Sequence, residues 1–131
     1  MDAQHQAAAS YGQAQTAVKA PKQIEYQAFA RITRALGAAA ETDGPSAFPR
    51  LAAALHDNLR LWTVIATDVA LEGNGLPETL RARLFYLAEF TRAHTRKILA
   101  QEEEDAAPLI EINTTIMRGL RQQSEAALCR A

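Results

Sequence analysis

Residues Leu84-Phe85-Tyr86-Leu87-Ala88-Glu89-Phe90 put six apolar side chains into seven consecutive positions, inside a stretch with helical periodicity. Successive helical side chains lie about 100° apart, so no single stripe can hold all six. A helix that is apolar on every side is normally buried on every side. A chain of 131 residues has few helices with which to do that. The segment is therefore either the central helix of a bundle or partly reserved for a partner.

The rest of the chain supplies the bundle. Phe29, Ile32 and Leu36, with Tyr26 beside them, recur at spacings of three and four and predict an amphipathic helix from about Pro21 to Ala40. Thr42-Asp43-Gly44-Pro45 ends it with turn chemistry. Leu51, Leu55, Trp62, Ile65 and Val69 define a second helix from about Ser46 to Leu71, stopped by Glu72-Gly73-Asn74-Gly75. A third runs from Leu76-Pro77 to about Ala100, with Leu80, Leu84, Leu87, Thr91 and Ile98 as its core stripe. The acidic run Glu102 to Asp105 comes next, with Asp105 placed to cap a fourth helix, whose apolar face is Leu109, Ile112, Ile116 and Leu120. No strand alternation and no internal repeat is visible. The expected fold is all-α: a bundle of four main helices forming one domain over 21–131. Residues 1–20, which offer little but Ala, Gln, Ser and Gly around Tyr11 and Val18, precede it as a flexible or weakly helical segment.

Composition removes several function classes. A formal net charge of −1 gives no global field for nucleic acid or membrane. No stretch approaches 18 uncharged apolar residues, and Met1 is followed by Asp2, Gln4 and His5 rather than a basic and apolar leader. Cys129 is the sole cysteine and forms no internal disulfide. A cytoplasmic protein is expected. His5, His56 and His94 lie far apart, with no neighbour at metal-ligand spacing, and no nucleophile elbow, phosphate loop or dinucleotide fingerprint occurs. The reading is therefore no enzyme, no catalytic residue, no metal, no cofactor and no small-molecule substrate.

Binding chemistry remains. Phe85 and Tyr86 point away from the core stripe, on the side of Arg81, Glu89, Arg92 and Arg96. Large aromatics beside arginine are typical interface anchors, unless another helix of the same bundle covers them. Asn58 falls inside the second helix's apolar stripe, one turn before Trp62, and Asn113 falls inside that of the fourth. A buried amide without partners costs on the order of 1–3 kcal/mol. The two amides therefore either bond each other and fix the helices' register as a polar core, or catch backbone groups of a bound segment. Gly119 leaves room for a close helix approach. Arg81, Arg83, Arg92, Arg96 and Lys97 make the third helix locally basic, and a strip of them offers an alternative contact for RNA phosphates. Glu89 within that strip points instead to an ion pair with Arg92.

Several of these stretches, taken in order, resemble the FlaF family of flagellar biosynthesis regulators. They are Glu25-Tyr26-Gln27-Ala28-Phe29, His56-Asp57-Asn58-Leu59-Arg60-Leu61-Trp62, the Leu76-Pro77 turn, Leu84 to Thr91, Ile110-Glu111-Ile112-Asn113 and Met117-Arg118-Gly119-Leu120. The resemblance spans about residues 10 to 121. It implies a small cytoplasmic helical protein needed for flagellin production and filament assembly, linked to flagellin synthesis at the post-transcriptional level and to flagellin export. A chaperone for unassembled flagellin would account for both. Flagellin's terminal segments are amphipathic helices that stay unpacked until the filament forms, and a groove in a small bundle can bury their apolar faces. The expected partner site gathers Trp62, Phe85, Tyr86 and Phe90, with Asn58 and Arg92 orienting the guest. The alternative is a regulator of flagellin translation acting through messenger RNA or another flagellar regulator.

Overall fold

The structure, a computed structural model, describes the backbone of residues 13–71, 73–102 and 104–130 and the side chains of those between 26 and 122. Among the described residues there are four α-helices and no strand: α1 (Gln13–Ala40), α2 (Ala47–Ala70), α3 (Glu78–Leu99) and α4 (Ala107–Arg130). Two of them, α2 and α3, begin and end close to where the periodicity places them, and α4 begins there but runs on past Leu120 to Arg130. α1 starts at Gln13 and runs through Pro21 instead of beginning there. The Ala- and Gln-rich lead-in has enough helix propensity to carry the helix backwards, although the Pro21 nitrogen donates no bond to the preceding turn. Of the tail expected at 1–20, positions 1–12 lie outside the described residues, as does the side chain of Cys129.

The connections arise from their residues. Gly44, at φ 92°, turns the chain between α1 and α2 in a conformation that glycine adopts without Cβ strain. The α2–α3 link is organised by Asn74, whose Nδ2 donates to the carbonyl and carboxylate of Asp68 while its Oδ1 accepts from the Leu76 N–H. After α3, the Gln101 N–H bonds the Ile98 carbonyl and the Glu102 N–H bonds that of Lys97. These are the paired bonds of a Schellman ending, which requires a left-handed residue at Gln101 (φ 60°). The Asp105 carboxylate then accepts from the Ala107 N–H at 3.0 Å, opening α4.

The four helices form a ring with one open seam. α2 packs along both α1 and α3, and α1 packs along α4, whereas α3 and α4 barely meet. α3 is thus a peripheral wall, not a central helix. Inside the ring the core is split in two. One apolar cluster joins Leu36, Leu55, Ile98 and Leu109; the other joins Phe29, Trp62, Ile65, Val69 and Ala88. Phe29 meets the Trp62 ring edge-on, with centroids 5.8 Å apart at 77°. α3 contributes little bulk to either cluster. Its buried face is Ala88, Thr91, His94, Thr95 and Ile98. The expected stripe is corrected at its start: Leu80 is exposed, and Leu84 and Leu87 are only half-buried. The reason is the open seam, which leaves the first half of α3 without a second helix to cover it.

Gly119 also departs from expectation. A Cβ placed there would meet nothing within 4 Å, so this glycine serves no close helix contact. The left-handed Gln101 generates a sharper expectation. Replacing it by glycine relieves Cβ strain and should stabilise the fold by about 1 kcal/mol, read as a higher urea midpoint at unchanged slope.

Candidate functional site

Between the two apolar clusters lies a polar layer to which every helix contributes. Asn113 of α4, fully buried, is its centre. Its Nδ2 donates to Asn58 Oδ1 of α2 at 2.8 Å and to Thr33 Oγ1 of α1 at 3.1 Å, and its Oδ1 accepts from Trp62 Nε1 at 2.9 Å. The two amides therefore bond each other across helices, and α1, α2 and α4 are tied together at one level. Sequence reasoning did not place Trp62 and Thr33 in this layer. For Trp62 the signal exists, because a buried indole N–H needs an acceptor.

Two residues expected at the partner site, Asn58 and Trp62, belong to this layer. Trp62 and Asn58 are 0% exposed, so neither presents surface to a guest in the folded bundle. Phe90 is half-buried, packed against the Leu36–Leu55 cluster and stacked on His94 with centroids 5.4 Å apart. Arg92 is paired with Glu89 on the surface of its own helix. Phe85 (44% exposed) and Tyr86 (66%) are indeed uncovered by the bundle, but they do not share one patch. Phe85 lies one turn beyond Arg81, whose guanidinium bonds the Val69 and Leu71 carbonyls, and so flanks the end of α2. Tyr86, about 100° further round the helix, lies at the open seam.

That seam is a groove of about 740 Å³ between α3 and α4. Ala82, Arg83, Tyr86 and Leu87 form one wall; Glu111, Ile112, Thr115 and Ile116 form the other. Both rows have the i, i+1, i+4, i+5 pattern of a helix face, so two helical ridges border one trough. Half-buried Leu87, Ile112 and Ile116 make its floor apolar, while Arg83, Tyr86, Glu111 and Thr115 stand exposed on its rim. Of the six residues expected to meet a partner, Tyr86 alone lines it. The α4 residues were missed because their apolar stripe reads as ordinary core, and only the splaying of α3 from α4 uncovers it.

Among the described residues no three His, Cys, Asp or Glu side chains group as metal ligands, and no helix is long and apolar enough to cross a membrane. The sequence model of the family described as flagellar protein FlaF matches residues 7–120. The chain belongs to the FlaF family. No curated protein and no solved structure matches it. The match runs from before α1 to Leu120, and so takes in the whole polar layer and both walls of the groove.

Two stability measurements check the layer in this FlaF-family bundle. Asn113→Ala strands Trp62 Nε1 and Asn58 Oδ1 in the core and should cost about 3 kcal/mol in urea denaturation. Thr91 and Thr95, also buried, contribute hydroxyls without a hydrogen-bond partner. Thr91→Val removes an unpaired buried oxygen at nearly constant shape and should stabilise by about 1 kcal/mol.

Proposed function

We propose that this flagellar protein binds unassembled flagellin, through the amphipathic helices at flagellin's ends, as a cytoplasmic export chaperone, and through that binding regulates flagellin synthesis and secretion. The α3–α4 groove is the observation that carries this reading. An amphipathic helix is recognised by a trough that accepts anchors one turn apart on one face, and two helical walls about one and a half turns long fit those at i, i+3 and i+4. A third apolar ridge laid into the trough would cover Leu87, Ile112 and Ile116, the half-buried side chains that the bundle leaves at its open seam. Tyr86 at the rim supplies a rigid, amphipathic contact that orders at low entropic cost.

Reversibility fits the same geometry. The rim residues Arg83, Tyr86, Glu111 and Thr115 are exposed, so a guest in the trough stays reachable from solvent and can be handed on to an export gate. A role through RNA phosphates has less support. Of the arginines on the strip, Arg81 is held by α2 carbonyls and Arg92 by Glu89. No reaction is assigned to the site.

The test uses purified monomeric flagellin and the intact chain in calorimetry. Tyr86→Ala should weaken binding about tenfold, since exposed aromatic anchors at interface centres commonly carry that much. Thr115→Arg, which blocks the trough from an exposed position, should weaken it at least as far, whereas Phe85→Ser should leave it unchanged. Undiminished affinity in both groove variants would overturn the assignment. So would a specific flagellin messenger complex whose affinity falls steeply with salt, formed in place of a flagellin complex.

A further inference from the structure

The two halves of α3 are held very differently. From Thr91 to Ile98 the helix buries four side chains, and its end is stapled by His94, whose Nε2 lies 2.8 Å from the Asp105 carbonyl. From Glu78 to Phe90 it buries only Ala88. No α4 helix closes over that half, and it forms one wall of the groove. The polar layer offers no alternative hold. Asn113 already serves α1 and α2, while Thr91 Oγ1, Thr95 Oγ1 and Asn58 Nδ2 remain without partners where α2 meets α3.

Half-buried Leu84 and Leu87 rest this half against the Trp62 cluster, and among the described residues Arg81 is its one side chain that hydrogen-bonds another helix. Arg81 donates its Nε–H to the Val69 carbonyl at 2.9 Å and an Nη2 hydrogen to the Leu71 carbonyl at 3.3 Å. These oxygens belong to the end of α2, where carbonyls lack helical partners and the dipole favours a cation. Arg81 therefore caps α2 from α3. The loop between them contains Gly73 and Gly75, both at positive φ, and so can accommodate a displacement of α3 with little added strain.

We propose that Arg81 is a latch for a movable groove wall: with its two bonds made, residues 78–90 rest against α2, and with them broken that half of α3 unwinds locally from its free end as far as the buried Thr91–Ile98 half and widens the trough. The bonds are partly exposed and few, so each opening requires the loss of Arg81's contacts and the unseating of Ala88, Leu84 and Leu87 from the edge of the Trp62 cluster, while the Thr91–Ile98 half stays packed. A guest helix that lies better in the widened trough shifts this equilibrium toward the open form. The usefulness of the latch rests on the groove being a guest site, but its existence does not.

Hydrogen exchange of the free, intact chain therefore separates the two questions, because it needs no flagellin. Amides of 82–90 should exchange at least roughly tenfold faster than those of 92–98, through local opening rather than global unfolding. Arg81→Ala should speed 82–90 by about a further tenfold while 92–98, α1 and α4 keep their rates. Arg83→Ala, on the same half-helix but outside the latch, should leave the pattern unchanged and so controls for charge and helix propensity. Equal protection along the whole of α3 in the unaltered protein overturns the proposal. So does an Arg81→Ala variant whose exchange is unaltered, or one whose rates rise alike in every helix. Loss of flagellin binding in Tyr86→Ala with this exchange pattern intact would support both readings. Retained binding in the groove variants would sink the guest site alone.

Discussion

The hydrogen bonds of the Asn113 side-chain amide organise the rest of this bundle. An amide in an apolar core must use its donors and acceptor or cost more than it contributes. Asn113 bonds in three directions, reaching α2 twice, through Asn58 and Trp62, and α1 once, through Thr33. A one-residue slip of α4 would strand them all. The layer thus sets the register of three helices, while the apolar clusters above and below supply most of the burial.

The remaining helix stands apart from that arrangement. α3 brings threonine hydroxyls to the layer but forms no bond there, and its contacts are with α2 rather than α4. Three seams of the ring close, and the last becomes a trough. The exposed apolar surface of this FlaF-family protein and the open flank of α3 therefore have one origin: a polar layer that ties three helices together and leaves α3 to pack on α2 alone.

Much of the architecture was legible along the chain. The i, i+3, i+4 recurrence of Phe29-Ile32-Leu36 and Leu51-Leu55-Trp62, broken by Gly and Pro clusters, locates helices because burial demands one apolar face per helix. Asn58 and Asn113 stood out as polar interruptions of such faces, and they do bond each other. The groove was far less legible. On a wheel, Phe85 and Tyr86 both point away from the core stripe. Yet a turn of about 100° puts one beside the end of α2 and the other at the open seam. Ile112 and Ile116 carry an apolar pattern that fits a closed core and an exposed groove equally well. Arg81, read as one more surface cation, proved to cap a neighbouring helix.

By itself, the sequence determined the helices, their number, their breaks and the identity of the two buried amides, because periodicity, turn chemistry and the cost of an unpaired polar group act locally or along one face. Only the tertiary structure decided which seam of the ring stays open, and hence which apolar side chains are core and which are groove. That choice depends on how four helices share a limited set of large side chains and one central amide. A face that is apolar at the right spacing says that something must cover it, but not whether the cover belongs to the same chain.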